Sequence, residues 1–394
     1  MIRSIRAVLL AMVLVLGHDA SADQIKGTLK TVGADKDTLT VTVGKKDQTF
    51  SVAADSKLVG DDGKTLKDRL AAKALQPGVP LIVTFDKVDG KELVREVRIG
   101  NIVPAEGYLD ADKAGPDLAI QGEYEDGRGR GAQVVAQGDG LFQVLFLAGG
   151  LPGAGWDGKT IQKASARTLD GQTTVADGGW KGTIAAGKLT ATGPDGASLS
   201  LARVARQSPT QGAKPPPGAF VLFDGTNADE WVGTKMSDDK LLLPGGKTKR
   251  SFHDFKLHLE FRLPYRDRGQ GNSGVYMLER YEIQIINSFG QLPARNNGCG
   301  SIYTQTAESV NMTFPPLAWQ TYDIDFKDAK YDAAGKKTQN AVVTLLHNGV
   351  KVHDQAEIKD KTGAGKPEGP AAAPIYLQLH GSPVYFRNVW VVAP

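Results

Sequence analysis

From residue 220 onward the chain alternates apolar and polar side chains in short runs bounded by turn residues. The runs are FKLHLEFRLP, GVYMLE, YEIQII, QTYDIDFK, NAVVTLLHNGV, APIYLQLH and VYFRNVWVV. In the first, Leu257, Leu259, Phe261 and Leu263 share one face, and His258, Glu260 and Arg262 share the other. Near the C-terminus Ile375, Leu377 and Leu379 oppose Tyr376, Gln378 and His380. A period of two is that of a strand with one face against a core, and no long helix competes with it. The spacing and turns predict an antiparallel sandwich. If the polar faces line the hollow of one curved sheet, they form a groove. The run RYEIQIINSFG, Arg280 to Gly290, is then part of its floor, with the turn at Asn287, Ser288 and Gly290 shaping one end.

Two further β-rich stretches precede this region. In residues 23–104, Thr38 to Val43 and Gln48 to Ala53 flank a hairpin signal at Gly44 to Asp47. One short helix is expected over Thr65 to Leu75, closed by Pro77-Gly78. The strands LIVTF and LVREVRI complete a small barrel-like unit. In residues 105–206, Asp-Gly recurs at Asp126, Asp139, Asp157, Asp170, Asp177 and Asp195, each able to supply the positive-φ pair of a tight hairpin. The glycine loop Gly149 to Lys159 lacks the Lys-Ser/Thr spacing of a phosphate loop and reads as structural or as an edge of a substrate site. Residues 207–217 contain three consecutive prolines and read as a stiff linker.

The N-terminus joins Arg3 and Arg6 to the apolar run Ala7 to Leu16 and the small residues Ala20-Ser21-Ala22. This is the pattern of a cleavable export signal over residues 1–22, too short in its apolar part to span a bilayer that needs ~20 helical residues. The expected location is periplasmic or extracellular, with no membrane span after cleavage. The formal charge is +3, from 47 basic and 44 acidic residues, which gives no reason to expect nucleic acid as a partner. A single cysteine, Cys299, excludes an internal disulfide; in its Gly-Cys-Gly turn it reads as a small buried residue rather than a nucleophile.

The motifs FVLFDGTNADEW, GNSGVYM, RYEIQIINSFG, CGSIY, WQTYDIDF, HNG and PIYLQLHGSPVYFRNVWV stand in an order that resembles the 3-keto-disaccharide hydrolase family. The resemblance covers residues 218–394 and implies a concanavalin A-like jelly-roll sandwich with a concave sugar-binding face. The fold class expected for the whole chain is therefore all-β, two smaller β-rich units followed by this sandwich. At two positions, Asn287 and Leu379, the resemblance implies Asp, a carboxylate able to serve as acid, base or metal ligand.

The implied substrates are glycosides with a ketone at the third ring carbon. That ketone acidifies the hydrogen on the second carbon, so a base can form an enolate that expels the group on the first. The site needs a base, an acid for the leaving oxygen and donors or positive charge for the enolate oxygen. Glu282 and His380 are the leading acid/base pair; without the resemblance Glu282 would read as a solvated strand residue and His380 as a turn residue. Glu260 with Arg262 would orient a hydroxyl, or pair across strands. Tyr276 and Tyr303 would stack on a ring or donate to the enolate, Gln284, Asn287 and Gln378 would bind hydroxyls, and Arg387 would supply charge to the enolate. A divalent cation such as calcium would suit oxygen ligands from Glu282, Asn287 and a loop.

The machinery of a retaining glucanase, two carboxylates about 5–5.5 Å apart, is missing, because Gln284 and Ile286 follow Glu282 where a second carboxylate would stand. The nucleophile elbow and the zinc-protease motif are also missing. Three functions remain, of which the first two are cleavage of 3-keto glycosides and a non-catalytic, lectin-like carbohydrate-binding module of the cell envelope. Envelope interaction through the two upstream β units is a third.

Overall fold

The computed structural model describes residues 23–60, 65–88, 91–99, 109–265 and 271–393. The expected export signal, residues 1–22, lies outside them. No helix among the described residues is long and apolar enough to cross a membrane. The chain divides into two compact units, one ending at Ile102 and one beginning at Val103.

The first unit is a six-stranded curled sheet. Its third strand, Lys46–Ser51, pairs antiparallel with Thr38–Val43 and also meets Lys91–Ile99 in parallel at Ser51 and Leu93. Leu39, Val41, Phe50, Leu81 and Val83 fill its interior. The helix expected over Thr65 to Leu75 is only one 3-10 turn, Arg69–Ala71. Thr65 bridges to Val59 and the Leu66 N–H donates to Leu58 O, so the start of the segment is held at the sheet rather than in a helix.

The second unit begins with an eight-stranded antiparallel barrel. Consecutive hairpins run from Gly122–Glu125 to Ser198–Val204, and the last strand pairs with the first to close it. The Asp-Gly pairs turn the hairpins as their chemistry predicts: Asp139-Gly140 and Asp170-Gly171 both take positive φ. Trp180 and Phe146 stack at 3.7 Å in the barrel core.

The sandwich follows. One sheet has six strands in the order Phe220–Phe223, Tyr385–Val392, Phe255–Arg262, Trp319–Lys327, Ala341–His347 and Val350–Ile358. The other has five, in the order Trp231–Val232, Lys247–Thr248, Tyr376–Leu377, Asn272–Met277 and Tyr281–Ile286. Leu257, Leu259 and Phe261 from the first and Val275, Ile283 and Ile285 from the second meet in one core. The polar faces of the two sheets therefore point away from each other.

Barrel and sandwich share contacts. Tyr265 and Leu317 of the sandwich pack into the barrel's hydrophobic cluster. The Arg206 guanidinium donates to both oxygens of buried Glu123, at 2.7 and 2.6 Å, and lies over the Phe314 ring. The glycine loop is structural here: a Cβ at Gly153 would stand 2.4 Å from Met312 Sδ. The 207–217 segment is a spacer only over its exposed prolines. Upstream of them, Ser208 and Thr210 hydrogen-bond Thr321, Thr210 donates to Asp323, and the Gly212 N–H donates to Glu260. Small hydroxyl and glycine residues let the backbone approach the polar face of the six-stranded sheet closely enough to cover it.

Candidate active site

The hairpin Asn272–Met277 and Tyr281–Ile286 sets Tyr276 opposite Glu282 and Gly274 opposite Gln284. Its turn places Leu278 and Glu279 at positive φ, a conformation that neither residue favours. Lys366 holds Glu279 at 2.7 Å. Tyr281, Ile283 and Ile285 face the core, which turns Glu282 and Gln284 outward. That outer face is not open, since every residue of Tyr281–Ile286 is buried. The Tyr303 N–H donates to Glu282 O, and the Glu282 N–H donates to the Thr362 hydroxyl at 2.6 Å.

The Glu282 side chain, 2% exposed, accepts a hydrogen bond from the Tyr276 hydroxyl at 2.6 Å. Gln378 Nε2 donates to that same hydroxyl at 3.2 Å. Two glycines make the space. A Cβ at Gly274 would stand 2.3 Å from Glu282 Oε1, and one at Gly363 would stand 3.2 Å from Oε2 and 3.0 Å from the Tyr303 ring. Burial pushes the Glu282 carboxyl up to about 7, against the Tyr276 hydrogen bond and the nearby His380 charge, which both favour the ionised form. Burial and the Glu282 carboxylate push the Tyr276 hydroxyl up, so it stays a donor. His380 and Leu379 are exposed, Leu379 by 61%, and the Leu379 N–H donates to Tyr376 OH. The arrangement is a buried carboxyl whose burial pushes it up toward neutral pH, held by a phenol, with an exposed imidazole within electrostatic reach. It suits proton transfer.

Residues 218–392 match the family model of the 3-keto-alpha-glucoside-1,2-lyase-like domain. This region is similar to the domain of that family. Two Parabacteroides distasonis proteins of solved structure, each described as a candidate glycosyl hydrolase, are similar. One shares 28% identity over 45% of this chain and 85% of its own, with a TM-score of 0.42. The other shares 20% over 45% of this chain and 94% of its own, with a TM-score of 0.34. No curated protein matched. The family match supports a carbohydrate-active function for the domain.

In the lyase-like domain the residues expected to form one groove fall on two opposite faces. Glu282, Tyr276, Tyr303, Gln378 and His380 gather at the five-stranded sheet. Glu260, Arg262 and Arg387 stand on the outer face of the six-stranded sheet, so Arg387 cannot supply charge to an enolate at Glu282. Alternation along a strand separates its two faces but does not say which sheet the strand joins. Glu260 pairs with Arg387 rather than with Arg262, at 2.7 Å. Glu260 also accepts from Asn388 and the Gly212 N–H and lies beside His258. Burial would raise the Glu260 carboxyl, but these partners outweigh it and hold it down at about 2. Arg262 lies over the Trp319 and Tyr385 rings.

Gln284 bonds its own chain, its Oε1 accepting from the Ile285 N–H. Asn287 closes a local turn by accepting from the Phe289 N–H. It is five residues from Glu282 along an extended chain, ~16 Å, so the two do not form the joint cation site that the sequence suggested. Among the described residues no three His, Cys, Asp or Glu side chains meet as a metal site. Cys299 is fully buried against the Tyr322 hydroxyl, and burial pushes its thiol up to about 12, which suits a structural residue and not a nucleophile.

Sequence reasoning missed Thr362, Gly363 and Gly274, and placed Tyr376 on a polar face without giving it a role. Gly274 had a local signal, a glycine inside a strand pattern, which marks close approach by another group. Thr362 and Gly363 lie about 80 residues from Glu282, in a loop with no strand period, and nothing local marks them.

Proposed function

We propose that the protein is exported and cleaves 3-keto glycosides, the lyase-like domain removing the proton beside the ketone. The observation that carries this reading is the buried Glu282 carboxyl held at 2.6 Å by the Tyr276 hydroxyl and pushed up by its burial, in a region that matches this family's model. Glu282 takes the hydrogen on the second carbon, and the Tyr276 hydroxyl holds the carboxylate in place. The electron pair of that C–H bond becomes the enolate, whose oxygen accepts from the Tyr303 hydroxyl. The enolate then re-forms the ketone, a double bond forms between the first and second carbons, and the bond to the leaving oxygen breaks. His380, in its protonated form, donates to that oxygen. Water adding across the double bond would complete a net hydrolysis.

The test is aglycone release from a chromogenic 3-keto-glucoside and from its unoxidised parent. Release from the keto compound alone, lost in Glu282→Gln and reduced in His380→Ala, supports the reading. Equal release from both compounds refutes it.

A second reading is a carbohydrate-binding module without catalysis. The exposed Leu379, at a position where the resemblance implies Asp, favours it. Saturable sugar binding with no release from either compound would decide for it.

A further inference from the structure

The outer face of the five-stranded sheet carries a row of side chains that crosses all five strands. Pairing sets Val232 opposite Lys247, Lys247 opposite Tyr376, Tyr376 opposite Tyr276 and Tyr276 opposite Glu282. Directly opposed residues project to the same side of a sheet, so the row runs from Glu282 to the far edge strand. Its two ends differ. Glu282 and Tyr276 are each 2% exposed, whereas Val232 is 49% exposed. Near the open end stands Leu379, 61% exposed, the residue before His380.

The open end is continuous with Glu282. The Tyr376 ring lies 5.8 Å from the Tyr276 ring, and its hydroxyl accepts from the Leu379 N–H at 3.3 Å. Leu379 in turn packs on Gly245, where a Cβ would stand 3.4 Å from the leucine Cβ and 3.7 Å from the carbonyl of Gly233, the neighbour of Val232. Both glycines take positive φ, and neither adds a side chain between Leu379 and Val232. The charge in this part of the row belongs to Lys247. Its Nζ lies 3.8 Å from Glu279, which draws the ammonium toward the hairpin turn and leaves the methylene stem along the row.

A lone exposed leucine or valine is ordinary. Two of them flanking a tyrosine ring, continuous with a buried carboxyl, make an apolar surface beside a polar site. In the proposed cleavage His380 protonates the leaving oxygen, so the leaving group departs on the side where Leu379 stands. A second sugar would bring hydroxyls to that surface, and Leu379 and Val232 offer them neither donor nor acceptor. A phenyl ring would stack on Tyr376 and lie against both aliphatic side chains.

We propose that Leu379, Val232 and Tyr376 form the leaving-group subsite of the Glu282 site, and that this subsite takes glycosides of a flat apolar alcohol, such as a phenol, in preference to disaccharides. The inference rests on the Glu282 reading for which end of the substrate lies where.

The experiment is calorimetric titration of the full chain carrying Glu282→Gln, so that the bound compound is not consumed. The ligands are phenyl 3-keto-α-glucoside, its methyl counterpart and 3-keto-maltose, whose leaving group is glucose. The phenyl compound should bind at least tenfold more tightly than either of the others. Adding Leu379→Asp should cut that preference to less than threefold, and adding Val232→Thr should cut it several-fold. Both side chains are exposed, so both variants should fold. The proposal is overturned if the phenyl compound binds no more tightly than the methyl one, if 3-keto-maltose binds most tightly, or if the preference survives Leu379→Asp. Aglycone release by the wild type is read separately. Release without a phenyl preference refutes the apolar subsite and leaves the cleavage standing. A phenyl preference without release refutes the cleavage and leaves the apolar subsite standing as a binding surface.

Discussion

Glu260 and Glu282 are both buried carboxylates on the outward faces of the two sheets of one sandwich, 0% and 2% exposed, yet they hold their protons in opposite ways. Glu260 is held down at about 2 and Glu282 is pushed up to about 7. Burial works in the same direction on both; partners make the difference. Glu260 has Arg387, Asn388, a backbone N–H and His258, and the covering segment Ser208 to Ala213 seals it. Glu282 has one phenol and a more distant imidazole. A saturated carboxylate is an anchor, and an under-supplied one can exchange a proton. The residue type and depth that the two share do not identify the site; the count of donors does.

The sharpest way to break this comparison is to neutralise each carboxylate in turn. Glu282→Gln should lower kcat on a 3-keto-glucoside by about 10²- to 10⁴-fold, the span of a lost general base, while Glu260→Gln should leave kcat within a few-fold. Activity lost in Glu260→Gln with circular dichroism and melting unchanged would show that the faces were assigned wrongly.

Stability should respond the other way round. Glu260→Gln strips a buried ion network and should cost about 3–5 kcal/mol in chemical denaturation at pH 7. Because the Glu260 carboxyl is depressed on folding, its stabilisation is complete above its unfolded value near 4.5 and is lost as pH falls toward 2. The wild type should therefore lose stability across that window faster than the variant.

For Glu282 the sign reverses. Its proton affinity is raised on folding, so the neutral form favours the native state below pH 4.5, and that advantage is lost as pH rises through about 7. Relative to wild type, Glu282→Gln should be about 3 kcal/mol more stable at pH 9 than at pH 4.5. Denaturation curves at the two pH values measure it. In wild type, kcat/KM should rise with pH as Glu282 ionises near 7.

The smallest effect is expected from Tyr276→Phe. It removes the donor that favours the Glu282 carboxylate, worth about 1.5–3 kcal/mol for a charged group, so the rising limb of the pH–rate profile should move upward by about one to two pH units. An unchanged profile would mean that the phenol does not govern this proton.

Much of the architecture was legible in the chain. Leu257, Leu259 and Phe261 face the core as their alternation predicts, and Asp139-Gly140 and Asp170-Gly171 turn hairpins where the dipeptides stand. These are local matters, fixed by the pleat of a strand and the φ that glycine and aspartate tolerate. Glu282 and Tyr276 were both readable as polar-face strand residues, and the structure sets them opposite each other in one hairpin. Sheet membership was not readable: the same alternation puts Glu260 and Glu282 each on a polar face, and only the packing of the two apolar faces against each other sends those polar faces apart. Nor did any local pattern show that Ser208 to Ala213 would cover Glu260, or that Thr362 and Gly363 would reach Glu282 from about 80 residues away. The sequence by itself determined strands, turns and the sides of each strand, because those depend on neighbouring residues. The tertiary structure decided which carboxylate is sealed and which is poised, because that depends on donors brought from distant parts of the chain.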